Sequence, residues 1–338
     1  MKIGTVDTTR DVLIVAEIGN NHEGDVAVAE ELIGRAAEAG VQAVKFQTFR
    51  TEDFVSPLDP ERCERMKRFE LSRDAFTKLA RQAREAGLLF LSTPLDLGSA
   101  RFLEPLVDAY KIASGDNDFH PLIEAVAATG KPLILSTGLA DLGILDHSVA
   151  CIRKLWHDQG ITQDLALLHC VTAYPVPPDQ ANLAAIRKLA GRYDAAIGYS
   201  DHTIGIRACV LAVAAGARVI EKHFTLDNNH SSFRDHQLSA DVPTMRRLVE
   251  EIREAECLLG SGVKDLQPDE KANLVPVRRS IVAARDLPAG HTLTPADLTW
   301  KRPGGGVPPG REALLLGRRL VQAVQAGAML LPAQLAPG

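Results

Sequence analysis

An eight-stranded parallel α/β barrel followed by a small β-rich domain is the architecture that this 338-residue sequence predicts. Three observations predict it. Length is the first: such a barrel takes about 250 residues, and a prior of about 150 residues per domain makes room for roughly one further unit. The second is a set of eight short apolar runs that alternate with amphipathic stretches between residue 12 and about residue 260. The third is that nearly every run ends in a polar or ionisable residue, and functional groups of such barrels gather at the C-terminal ends of the strands.

The runs are VLIVAE (12–17), VQAVKFQ (41–47), LLFLST (88–93), AYKIAS (109–114), PLILST (132–137), LALLHC (165–170), AAIGYS (195–200) and RVIEKHF (218–224). They read as near-continuous apolar segments, as parallel strands buried on both faces do. Between them lie helical patterns such as 27–40, 73–87 and 240–260. Gly40, Gly87, Gly130 and Gly260 follow such patterns, where a left-handed residue ends a helix. The polar strand ends are Glu17, Lys45, Thr93, Lys111 with Ser114, Ser136, Ser200, and Lys222 with His223. After Gly260 the pattern turns polar and irregular, then gives short β-like runs broken by Pro and Gly. The expected organisation is a barrel over 1–262, a linker over 263–277 and a β-rich domain over 278–338.

Composition excludes several function classes. Hydrophobic residues make up 46% and charged residues 24%, as in ordinary globular proteins, so most of the chain is expected to be ordered. A net charge of −5 offers no global basic field for nucleic acid or a membrane surface. The longest apolar run, Ala208 to Ala217, is about half of a membrane span, and the opening MKIGTVDTTRD has no apolar signal-peptide core. Five widely spaced cysteines without a CxxC pair read as free thiols. A cytoplasmic enzyme is the expectation.

Three groups of residues carry candidate chemistry. His202 in SDHTIG and His223 in EKHFTLD end neighbouring strands, so two imidazoles could share one ion. Two His without thiolates suit Mn²⁺ or Mg²⁺ better than structural zinc. A hydrogen-bonded barrel histidine is the plainer reading of either one alone. Lys45 and Lys111 stand among Thr93, Ser114, Ser136 and Ser200. An ammonium at the end of an apolar strand needs a counter-charge, either a bound anion or a carboxylate such as Glu17, Asp116 or Glu221. Glu17, Asp116 and Asp235 form the acidic group, able to hold sugar hydroxyls or move protons, although Asp116 and Asp235 lie in turn-forming sequence.

The motifs VAEIGNNHEGD, AVKFQTF, LSTPLD, YKIASGD, KPLILSTGLA, HCVTAYPVP, IGYSDHTIG and EKHFTLD occur in an order that resembles the sialic acid synthase family. RRSIVA, DLPAGHTLT and KRPGGGVPP resemble the antifreeze-like SAF domain, a β-clip, that follows the TIM barrel in that family. The resemblance implies a transferase that condenses phosphoenolpyruvate with N-acetylmannosamine, releasing N-acetylneuraminate and phosphate through C–O cleavage. It implies a divalent ion on His202 and His223, Mn²⁺ first, with Mg²⁺ or Co²⁺ as substitutes. It places phosphoenolpyruvate against Lys45, Thr93, Lys111, Ser114, Ser136, Thr172 and Ser200. Glu17 and Asp116 take the catalytic proton work, and Tyr174 and Asp235 take the sugar. Arg302 of KRPG is implied to reach the partner chain's sugar, which requires a domain-swapped homodimer.

The sequence departs from the family pattern at three places. Asp116 stands where Glu is usual, Thr172 where Asn or Ser is frequent, and Phe233-Arg234 where Gly-Pro is common. These departures bear on the acceptor, and a legionaminate- or pseudaminate-type N-acyl aldose is the alternative. No additional basic cluster marks a phosphate on the acceptor, so an unphosphorylated sugar is expected. Two readings from other classes are a Schiff-base aldolase using Lys111 or Lys222 and a non-catalytic sugar-binding protein.

Overall fold

The computed structural model describes residues 1–337. Eight parallel strands close into a barrel: β1 (Leu13–Gly19), β2 (Ala43–Thr48), β3 (Leu89–Pro94), β4 (Ala109–Ile112), β5 (Leu133–Ser136), β6 (Leu165–Cys170), β7 (Ala196–Asp201) and β8 (Val219–His223). Each pairs with the next in chain order, and β8 pairs with both β7 and β1. Helices lie between them because their sequences can bury one face. In Val26–Ala39, Leu32, Ile33 and Ala36 are buried; Asp25 accepts from the N–H groups of Ala27 and Val28; Gly40 at φ 87° ends the helix. Helix Val242–Leu259 follows the same plan, with Asp241 accepting from Thr244 N and with Met245, Leu248 and Ile252 buried.

The apolar runs conceal an alternation. One set of side chains, including Ile14, Val44, Phe90, Tyr110, Leu135, Leu167 and Ile220, packs outward against the helices. The other set, Leu13, Val15, Ala43, Leu91, Ala109, Ile134, Ala166, Leu168 and Val219, fills the lumen. Ile3 joins the lumen cluster from a short hairpin, Lys2–Ile3 with Val6–Asp7, that the sequence pattern does not reveal. Fully burying such a side chain is worth about 1.5–3 kcal/mol, so both shells stabilise the barrel.

Segment 51–69 shows no apolar period either, since nearly half of TEDFVSPLDPERCERMKRF is charged. It forms helices Thr51–Phe54 and Pro60–Phe69, the second started by Asp59 and Pro60 and burying only Phe69. All five cysteines are free. Among the described residues, no helix is long and apolar enough to cross a membrane.

By its contacts the chain divides into Met1–Gly260 and a second unit from Ser261 on. The stretch expected to be an irregular linker contains a 3₁₀ segment, Pro268–Asn273, and a short helix, Leu274–Val277, both without buried residues. The second unit pairs β9 (Ser280–Ala283) with β10 (Leu298–Lys301) in an antiparallel ladder. Its own core includes Ile281, Leu287, Leu293, Leu315, Leu320 and Leu330. Buried Asp297 accepts from Arg285 Nη2 at 2.7 Å and Thr294 Oγ1 at 2.7 Å and pairs with His291 Nε2 at 2.8 Å, a charge fully partnered where a lone one would be costly.

Within the barrel strands the tightest approach is at Gly198 of β7, where a Cβ would stand 2.4 Å from Leu168 Cδ2 and 2.5 Å from Val219 O. Gly198→Ala is therefore expected to destabilise the barrel by about 1–3 kcal/mol, as overpacking does. Urea unfolding followed by circular dichroism measures this; an unchanged midpoint contradicts the packing described.

Candidate active site

The lumen parity that carries Leu, Val and Ala at the N-terminal end of the barrel carries polar groups at the other end. Glu17, Lys45, Thr93, Lys111, Ser136, Cys170, Ser200, Glu221 and His223 continue it, and all line one cavity of about 760 Å³. Loops after the strands add Ser114, Asp116, Thr172, Tyr174, His202 and Asp235. Thirteen of the fourteen residues to which the family resemblance gives a role thus meet in one place. The fourteenth, Arg302, belongs to the second unit, exposed in the loop after β10, with no ion-pair partner among the described residues.

Four charges form the floor. Lys45 Nζ lies 2.7 Å from Glu17 Oε2, 3.7 Å from Glu221 Oε1 and donates to Thr93 Oγ1 at 3.2 Å. Lys111 Nζ is 3.8 Å from the same Glu221 oxygen, which also accepts from Ser200 Oγ at 2.9 Å. Burial depresses both ammonium groups. For Lys45 the carboxylates of Glu17 and Glu221 outweigh it and the pKa is raised; Lys111, helped by Glu221 but opposed by Lys45, stays lowered. Burial likewise pushes the Glu17 carboxyl up, only partly offset by Lys45, whereas Lys111 and Lys45 together hold Glu221 below the usual carboxylate range. Beside this floor, the buried hydroxyl oxygens Ser136 Oγ and Thr172 Oγ1 have no hydrogen-bond partner. Buried polar groups are normally paired, so these are poised for a ligand.

The two imidazoles stand 5.3 Å apart, centroid to centroid. His202 Nδ1 is 2.9 Å from the Val171 carbonyl, to which it donates, leaving Nε2 free. His223 Nδ1 is buried without a partner. Burial lowers the pKa of both, and His202 and Lys45 depress His223 further, so both rings are neutral with lone pairs available. An oriented neutral pair with an unpartnered nitrogen fits a divalent ion, with space left for other ligands.

Lys222 does not belong to the site. Its parity is outward, and its Nζ bonds Asp201 Oδ2 at 2.8 Å and the Thr203 carbonyl at 2.5 Å, both partners buried. It is therefore neither one of the polar groups at the cavity nor placed to serve as a Schiff-base lysine there. The alternation Val219, Glu221, His223 against Ile220, Lys222 distinguishes the two, and it also identifies Glu221 as an inward residue that the sequence reading treated only as a counter-ion. Cys170 was missed for the same reason.

The mouth is wider and more basic than the sequence suggested. Arg62, Arg65 and Arg68 of helix Pro60–Phe69 line it together with Arg234. Arg234 stacks over the Tyr174 ring at 4.3 Å, and Phe233 packs on Phe69 with centroids 5.0 Å apart. The bulk and charge at 233–234 are therefore part of the cavity wall.

Residues 32–264 match the NeuB family, and residues 278–336 match the SAF domain. The chain belongs to the NeuB family. Among NeuB-family relatives, the N,N'-diacetyllegionaminic acid synthase of Legionella pneumophila is 39% identical over 94% of this chain and 93% of its own. That of Campylobacter jejuni is 36% identical over 91% and 96%. A crystal structure of an N-acetylneuraminic acid synthetase from Leptospira borgpetersenii, 34% identical, covers 81% of this chain and 94% of its own with a TM-score of 0.76. The chain is a NeuB-type nonulosonic acid synthase family member built as a closed barrel with a SAF domain.

Asp116 is the titratable group of this NeuB-family cavity that stands apart. Burial, reinforced by Asp118 and opposed by Lys111, raises its pKa to about 6. A carboxyl raised above its unfolded value is favoured in its protonated form, so it costs stability as pH climbs from about 4 through about 6. Asp116→Asn is expected to be more stable than the native chain at pH 8, by about 1–2 kcal/mol after discounting for its part exposure. The gain should vanish below about pH 4, and thermal melts across pH measure it. Equal stability at all pH values contradicts the burial described.

Proposed function

We propose that the protein condenses phosphoenolpyruvate with the open-chain form of an N-acylated aldose, giving a nonulosonic acid and inorganic phosphate. The observation that carries this is the meeting, in one cavity, of an anion cradle (Lys45, Lys111, Thr93, Ser114, Ser136, Thr172, Ser200) with the His202–His223 pair. Unpartnered Ser136 Oγ and Thr172 Oγ1 and the two ammonium groups suit a substrate bearing both phosphate and carboxylate.

A divalent ion on His202 and His223 would supply Lewis acidity toward the acceptor's aldehyde oxygen. The chain's own residues do the rest. Lys45 and Lys111 balance the charge of phosphoenolpyruvate and stabilise phosphate as it leaves. As the enol carbon bonds to the aldehyde carbon, the neighbouring carbon becomes cationic and the aldehyde oxygen takes a proton from solvent. Water adds to the cationic carbon and gives a proton to Asp116, whose raised pKa suits a base working near neutrality. Collapse of the tetrahedral centre breaks the C–O bond, passes the hydroxyl proton to the departing phosphate and leaves the ketone, and Asp116 returns its proton to solvent. Glu17, paired to Lys45, and Asp235, whose Oδ1 lies 3.4 Å from Arg234 Nε, face the acceptor.

N-acetylmannosamine is the acceptor that the motif resemblance implies. A second reading, an aldose with two acetamido groups, is favoured by the two legionaminic acid synthases above and by the apolar wall of Phe69 and Phe233. The arginines at the mouth add the 6-phosphate of N-acetylmannosamine to the panel. Phosphate release is measured with phosphoenolpyruvate and each acceptor, with and without chelator. Release is expected only with an acceptor and metal present, and His202→Ala or His223→Ala should reduce it at least 1,000-fold. Full activity in chelator sinks the metal assignment. Borohydride trapping of Lys111 with pyruvate would favour the aldolase, and binding without turnover of any acceptor the sugar-binding protein.

The same reading gives Arg302 to the acceptor's acyl group on a neighbouring chain of a homodimer. Inactive Arg302→Ala chains mixed with inactive His202→Ala chains should then regain up to one working site per mixed dimer. Failure to regain activity after proven subunit exchange rules out the shared site.

A further inference from the structure

A second group of metal-type donors lies at the lip of the cavity, away from the His202–His223 pair. Glu23, in the loop after β1, faces His230 and His236, in the loop after β8, and one donor atom from each lies within 4.8 Å of the others. His236 is buried, Glu23 half-buried and His230 exposed. The His236 and His230 rings are 5.1 Å apart, centroid to centroid.

The hydrogen bonds around His236 fix which nitrogen is free. Thr225 Oγ1 donates to the Asp227 carbonyl at 3.0 Å, so its lone pair receives the Nδ1–H of His236 at 2.7 Å. A neutral His236 then turns the lone pair of Nε2 toward Glu23 Oε1, 3.1 Å away. With Nδ1 so engaged, the contact between Nε2 and this oxygen needs a shared cation, a proton or a metal ion, and Ser231 Oγ donates to the same oxygen. A divalent ion takes the place of that proton. An imidazole whose far nitrogen is held by a hydrogen bond is the arrangement that metal-ligating histidines adopt. Glu23 is also held at φ 47°, a left-handed conformation that residues with a Cβ seldom take, and this directs it at the loop opposite.

We propose that Glu23, His230 and His236 form a second cation site that takes a divalent transition-metal ion and ties the loop after β8 to the loop after β1. Two imidazoles and one carboxylate are a zinc- or cobalt-type donor set, leaving at least one position for water. Ligand atoms of a tetrahedral site with bonds of about 2.0 Å stand about 3.3 Å apart. Glu23 and His236 already meet that spacing, and only the exposed His230 side chain has to turn. The ion would brace the backbone that carries Arg234 and Asp235, since Asp235 precedes His236 directly and its carbonyl accepts from Ser239 Oγ at 2.6 Å.

Calorimetric titration of the full, metal-stripped chain with Zn²⁺, repeated with Co²⁺ for its visible absorption, tests the site. His230→Ala removes an exposed side chain, and circular dichroism confirms that the fold is kept. It should bind one equivalent fewer than the native chain. A chain carrying both His202→Ala and His223→Ala should keep one equivalent and its cobalt spectrum, and lose both when His230→Ala is added. Glu23→Gln in that background should weaken binding at least tenfold. The count is independent of the proposed reaction: if the His202–His223 pair holds no ion, the native total falls to one and His230→Ala still removes it. Equal stoichiometry in the native and His230→Ala chains, or no uptake once the pair is removed, overturns the proposal.

Discussion

Two ammonium groups buried at the end of a closed barrel must be neutralised, and the way this chain does so governs the rest of the cavity. Lys45 and Lys111 share Glu221, and Lys45 also takes Glu17. An uncompensated buried charge is strongly destabilising, so none of the four can be removed cheaply. The arrangement is nonetheless uneven. Lys45 has two carboxylates, while Lys111 has one, shared at 3.8 Å, and burial leaves its pKa lowered. An incoming dianion therefore finds Lys111 under-compensated, and under the proposed reaction this ammonium has the most to gain from phosphate. Binding then replaces a strained internal balance with a better one, without dismantling the Glu17–Lys45 pair.

Barrel closure decides who can take part. Once eight strands close, only one parity of side chains reaches the lumen, and volume there allows apolar filling at one end and chemistry at the other. The outward parity is not free of charges, as Asp201 and Lys222 show. Their pair is fully buried, and the Asp201 carboxylate also accepts from Tyr199 OH at 3.0 Å and Thr203 N at 2.8 Å. This cluster fixes the start of the loop that presents His202 and is a supporting element of the site.

Much of this was legible in the sequence, for identifiable reasons. Buried parallel strands give apolar runs, so all eight were found with ends within two residues of those observed, and Gly40 and Gly87 closed helices with positive φ. The residues of the cavity were legible because polar groups at strand ends have little else to do. What was not legible is equally physical. An apolar run buried on both faces hides its period, and Lys222 was read together with His223 for that reason. Helix Pro60–Phe69 buries one residue, so no apolar stripe announced it, and its three arginines at the cavity mouth went unseen. The second unit has only two four-residue strands in its ladder, and its leucine core is assembled from turns and isolated bridges that leave no periodic signature.

The cavity is thus built from parts of unequal rigidity. Its floor is made of strand residues whose backbones are locked in the barrel ladder, and precise charge placement needs such support. Its mouth is made of the β8 loop and a helix that buries only Phe69, against Phe233, and is otherwise held by surface contacts such as the Lys67–Glu52 ion pair. All three departures from the family pattern lie outside the strands: Asp116 is in a 3₁₀ turn, Thr172 in a loop, and Phe233-Arg234 at the start of the short helix Arg234–Leu238. Loops on a rigid scaffold tolerate change and set what is bound. Under the proposed reaction, this division gives the chemistry of condensation to the floor and the choice of acceptor to the mouth. On that reading a substitution at 233 or 234 redirects the protein to another sugar while leaving the four charges of the floor undisturbed.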